Sequence, residues 1–114
     1  MVNYHQVDAQ KCTFYRVANV GEIPPGERIF FDLDAQPVVL FNIAGQLFAI
    51  GDVCSHDDGP VGDGDLDGFV VKCPRHGATF DVRSGKALSL PAVIDIPAYP
   101  IRVVDGQIEI GIPN

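Results

Sequence analysis

The sequence has no tryptophan, one methionine, three cysteines and eight basic residues. Three cysteines cannot all pair, and a secreted disulfide scaffold uses a larger, even number. Eight Lys and Arg against 15 Asp and Glu leave a net charge of -7. That charge repels phosphate backbones and anionic lipid, so neither nucleic acid nor such a membrane is an expected partner. No apolar run approaches the roughly 18 residues of a membrane-spanning helix. Residues Met1 to Gln6 lack the basic flank and apolar stretch of a secretory signal. A soluble, cytoplasmic protein is expected. Phosphate loops, nucleotide fingerprints and Ser-His-Asp arrangements are missing too, which argues against an enzyme with its own substrate pocket.

What is present suits one domain over residues 1–114. Hydrophobic residues make up 46% and charged residues 20% of the chain, enough to bury a core. No helical period runs beyond about ten residues without a Gly or Pro. Short β-rich runs recur instead: Thr13 to Val17, Arg28 to Leu33, Pro37 to Ile43, Leu47 to Ile50, Ile101 to Val104 and Gln107 to Ile112. Ala44-Gly45-Gln46 and Asp105-Gly106 mark hairpins, the latter being the strongest such signal in the chain. These features predict an all-β fold, an antiparallel sandwich or small barrel. Between about 51 and 92 the texture changes to a Gly- and Asp-rich insertion.

That insertion holds Cys54-Ser55-His56 and, 16 residues later, Cys73-Pro74-Arg75-His76. Two thiolates and two imidazoles complete either a tetrahedral zinc site or a two-iron, two-sulfur cluster with two Cys on one iron and two His on the other. Each half carries one Cys and one His, so the two loops must come together. Zinc modules usually pair C-x₂₋₄-C with H-x₃₋₅-H, which C-x-H and C-x-x-H do not match. Elsewhere, Cys12 reads as a buried structural thiol and His5 as solvated. The acids Asp57, Asp58, Asp63, Asp65 and Asp67 are most simply a solvated loop surface.

The pattern resembles the Rieske iron–sulfur family, and the likeness extends past the four ligands. His76-Gly77-Ala78-Thr79-Phe80-Asp81 and Gly85 are similar to the family's second loop, and Leu90-Pro91-Ala92 to the proline loop that covers its cluster. The resemblance implies a Rieske-like antiparallel β-sandwich with a cluster-binding subdomain at about 51–92. It also implies one [2Fe-2S] cluster per chain, held by Cys54, His56, Cys73 and His76. Histidine ligation leaves such a cluster less negative than its four-thiolate relatives and raises its potential. Respiratory members carry an additional disulfide and two hydroxyl donors to sulfur. Here the matching residues are Gly59 and Arg75, then Ala78 and Phe80, so a potential at the low end of the family is expected. The implied role is that of a soluble ferredoxin, passing one electron from a flavoprotein reductase to a terminal oxygenase or other acceptor. A Rieske-like small subunit of a nitrite reductase and a zinc-stabilised interaction module are the alternatives.

Overall fold

In a computed structural model, residues 8–54, 59–75, 77–90 and 94–114 are described. Strands β1 (Cys12–Asn19), β9 (Ile101–Val104) and β10 (Gln107–Pro113) form one antiparallel sheet, ordered β1-β10-β9. A second contains β2 (Arg28–Leu33), β3 (Gln36–Ile43), β4 (Gln46–Gly51) and β8 (Ala98–Tyr99), in the order β2-β3-β4-β8. A third, smaller sheet of β5 (Leu66–Asp67), β6 (Val70–Lys72) and β7 (Thr79–Asp81) lies in the chain between β4 and β8. Short 3₁₀ turns at Ala9–Lys11 and Val20–Glu22 are the helical elements among the described residues, and no helix is long and apolar enough to cross a membrane.

In the two larger sheets three hairpins set the registers, and each turns through two left-handed residues: Asp34-Ala35, Ala44-Gly45 and Asp105-Gly106. Such turns match the right-handed twist of the flanking strands. Asp34-Ala35 contains no glycine, so it carries none of the usual sequence signal. β1 continues to Asn19, beyond the predicted Val17, through a register shift between Arg16 and Ala18.

Strand β3 is the structural centre. Val38, Val39, Leu40 and Phe41 are all buried, so its two faces serve two different cores. On one face Val38 and Leu40, with Ala49 of β4, pack in a cluster with Ala18, Ile108, Ile110 and Ile112 of the first sheet. On the other, Val39, Phe41 and Ile50 pack with Val71 and Phe80 of the third sheet. The period-2 alternation of a strand produces this division. Burying each such side chain is worth roughly 1.5–3 kcal/mol. The middle sheet therefore fastens the insertion to the framework. The insertion's strands are two or three residues long, too short for an alternating pattern to emerge in the sequence.

Candidate metal centre

Both cysteines of the predicted site stand just beyond a strand and are buried: Cys54 after β4, at 0% exposure, and Cys73 after β6, at 1%. They belong to one apolar cluster with Val61, Val71, Ala78 and Phe80, and no disulfide joins them. The two loops close in the same way. The Cys54 N–H donates to the Gly59 carbonyl at 2.6 Å, and the Cys73 N–H to the Ala78 carbonyl at 2.7 Å, five residues on in each case. Gly77 donates back to the Cys73 carbonyl at 3.1 Å. Gly77 has φ +78, a left-handed conformation that glycine adopts without strain.

The rest of the insertion holds these loops in place. The Lys72 N–H, immediately before Cys73, donates to the Asp65 carbonyl at 2.9 Å. Leu88 donates to the Thr79 carbonyl at 2.8 Å, and the Thr79 and Ser89 hydroxyls lie 2.7 Å apart. Asp81 accepts from the Arg83 N–H at 2.9 Å and from its guanidinium at 3.0 and 2.8 Å. These hydrogen bonds hold the Asp81 carboxyl below its ordinary range against the opposing effect of burial. The Arg83 guanidinium also covers the Phe69 ring, 4.4 Å from its centre.

His56 and His76 lie outside the described residues, as do His5, Asp57, Asp58, Pro91 and Ala92. Leu90 of the expected proline loop is 77% exposed. Asp63, Asp65 and Asp67 are exposed, as a solvated surface requires. Cys12 corrects an expectation, being half-buried rather than core. Its Sγ donates to the Asp8 carbonyl at 3.3 Å, and burial, followed by the Asp8 charge, pushes its thiol pKa up. Sequence reading missed Asp52 and Arg28, which hold the loop between the two cysteines. Neither lies in a motif with the ligands.

The donor chemistry suits iron and sulfide. Two buried thiols belong to one apolar cluster, and thiolates in such surroundings are stabilised by a bound metal cation. A polar cavity of about 320 Å³, lined by Asp63, Gly64, Asp65, Lys72, Cys73, Pro74 and Gly77, opens beside the second cysteine. Ala78 and Phe80, both at 0% exposure, bring no hydroxyl to this environment.

Comparison with known proteins agrees with this geometry. The Rieske [2Fe-2S] domain family matches residues 13–100, and the chain belongs to that family. It is 42% identical over 97 residues to the 3-phenylpropionate/cinnamic acid dioxygenase ferredoxin subunit of Escherichia coli (strain K12), covering 83% of this chain and 90% of that one. Its fold is similar to the ferredoxin of carbazole 1,9a-dioxygenase from Nocardioides aromaticivorans IC177. There the TM-score is 0.81 at 31% identity, covering 90% of this chain and 99% of that chain. A chain of the solved complex of reduced oxygenase and oxidized ferredoxin in carbazole 1,9a-dioxygenase matches with TM-score 0.79 at 26% identity, over 86% of this chain and 92% of that chain. The protein is thus a ferredoxin-type electron carrier with one [2Fe-2S] cluster per chain, a component of an oxidoreductase system rather than a catalyst itself. The zinc reading falls with this match.

Proposed function

We propose that the protein is a cytoplasmic ferredoxin carrying one electron from a flavoprotein reductase to the terminal oxygenase of a ring-hydroxylating dioxygenase. In this reading residues 1–114 form one domain, and 51–92 is its cluster-binding subdomain. Cys54 and Cys73 hold one iron, and His56 and His76 the other. The bound cluster supplies a one-electron couple; the chain's own residues set its environment and its access. The buried cysteine pair excludes water from the thiolate side. The observation that carries the reading is the matched closure of the two loops, Cys54 to Gly59 and Cys73 to Ala78, around one apolar cluster. The relatives' names support an oxygenase as the acceptor, since they are ferredoxins of a 3-phenylpropionate/cinnamic acid dioxygenase and of a carbazole 1,9a-dioxygenase, the latter kind also solved in complex with its oxygenase.

Reconstitution tests the reading. The purified protein should show visible iron–sulfur absorption, be bleached by a dioxygenase reductase with NADH, and recover its colour on adding oxidised terminal oxygenase. A colourless protein, or one that the reductase bleaches but no oxygenase reoxidises, would reject it.

A further inference from the structure

The segment between the two cysteines is gripped from the framework by a pair of oppositely charged side chains. The Asp52 carboxylate, two residues before Cys54, accepts from the Val61 N–H at 3.0 Å and from the Gly62 N–H at 2.6 Å through the same oxygen, Oδ1. The Arg28 guanidinium donates to the carbonyls of Gly62 at 2.5 Å and Gly64 at 2.7 Å. Both anchors are themselves fixed. The Asp52 N–H donates to the Pro37 carbonyl at 2.9 Å, and Arg28 lies over the Phe41 ring, 5.3 Å from its centre.

The gripped backbone is packed tightly on both sides. A Cβ at Gly62 would stand 2.7 Å from Val39 Cγ1, and one at Gly64 only 1.7 Å from the Lys72 carbonyl oxygen. Just beyond Gly64, the Asp65 carbonyl accepts from the Lys72 N–H, next to Cys73. A continuous path of contacts therefore runs from Asp52 beside Cys54, through 61–65, to Lys72 beside Cys73.

We propose that Asp52 and Arg28 are positioning residues that together fix the Cys54 half of the site against the Cys73 half. The inference rests on the ferredoxin reading for what the cysteines hold. The clamp acts by hydrogen-bond geometry rather than by its charge, because one carboxylate oxygen receives both amides. An asparagine carbonyl could do the same. Alanine could not.

The test compares cluster release from the as-isolated holoprotein, wild type against Asp52→Asn, Asp52→Ala and Arg28→Met. Release to an iron chelator is followed by loss of visible absorption, and the linewidth of the reduced cluster's electron paramagnetic resonance is recorded alongside. Leaving the gripped amides or carbonyls without their side-chain partner should speed release by roughly ten-fold or more in Asp52→Ala and Arg28→Met, with a broadened signal, while Asp52→Asn, which keeps an acceptor oxygen, stays within about three-fold of wild type. If Asp52→Ala cannot be isolated folded, Arg28→Met and Asp52→Asn carry the comparison. Wild-type release rates and linewidths in Asp52→Ala or Arg28→Met would overturn the clamp. So would an Asp52→Asn variant as labile as the alanine variant, which would assign the effect to charge. A wild-type protein with no iron–sulfur absorption would instead reject the ferredoxin reading.

Discussion

The amide of Cys73 donates to the carbonyl of Ala78 at 2.7 Å, so the residue that closes the second loop is also fully buried beside its cysteine. A methyl group there can neither donate to sulfur nor accept from the chain. Phe80, two residues on and equally buried, is as inert. The polarity of this part of the site is therefore set by two side chains that a single oxygen atom each would change.

The pair Ala78→Ser and Phe80→Tyr should raise the midpoint potential. Hydrogen bonds to charged acceptors are worth roughly 1.5–3 kcal/mol each, and about 1.4 kcal/mol corresponds to 59 mV for one electron. An increase on the order of 100–250 mV is expected for the double variant, from a wild-type value toward the family's low end of about −150 mV. Protein-film voltammetry measures it. An unchanged midpoint would mean the new hydroxyls do not reach the sulfurs.

Backbone approach makes a second point. Gly64→Ala puts a methyl group 1.7 Å from the Lys72 carbonyl oxygen and must displace the strand that leads to Cys73. Stability should fall by about 2 kcal/mol or more, a drop in Tm of roughly 8 °C or more for a domain this size. Gly21→Ala is the control, since nothing lies within 4 Å of a Cβ at that position. It should stay within about 0.5 kcal/mol of wild type. Equal Tm values for the two variants would contradict the packing described.

The framework was largely legible in the sequence. β2 matches its predicted bounds, and the hairpins at Ala44-Gly45 and Asp105-Gly106 carry glycine where a left-handed residue is needed. The C-x-H and C-x-x-H spacing singled out Cys54 and Cys73 as candidate ligands, and the fold buries both in one apolar cluster. The insertion's own sheet was not, because two- and three-residue strands have no period to read, and neither was the glycine-free turn at Asp34-Ala35. Arg28 and Asp52 were hidden for another reason: their partners are backbone groups more than 30 and about ten residues away, on which side-chain identity leaves no mark.

Asp81 should couple stability to acid pH. Its folded pKa is depressed, chiefly by side-chain hydrogen bonds from Arg83. The stabilisation is therefore fully present above the unfolded value of about 3.9 and is lost as pH falls through the lower folded value. Asp81→Asn should lower Tm by a few degrees at pH 7, with the gap to wild type closing as pH falls below the ordinary carboxylate range. Thermal unfolding followed by circular dichroism across this range checks the trend. A gap that persists undiminished in acid would show that Asp81 acts through packing alone.

Charge should govern encounter with partners. The chain carries -7, and Asp63, Asp65 and Asp67 present exposed carboxylates on the insertion. Small, transient electron-transfer contacts draw more of their rate from steering than from buried area. The second-order rate of reduction by the reductase should fall as salt shortens the screening length toward about 8 Å. Stopped-flow mixing across ionic strength measures it, and a flat profile would leave the acids as solubilising groups.

The central claim is that two loops, one carrying Cys54 and His56 and the other Cys73 and His76, together hold one [2Fe-2S] cluster. Electron spin echo envelope modulation of the reduced protein tests it most directly, because it detects nitrogen bound to the paramagnetic centre. Two coupled imidazole nitrogens are expected in the wild type, and a single one, or loss of the cluster, in His56→Cys and His76→Cys. A reduced cluster with no strongly coupled nitrogen, or a two-nitrogen signal that survives either substitution, would contradict the assignment.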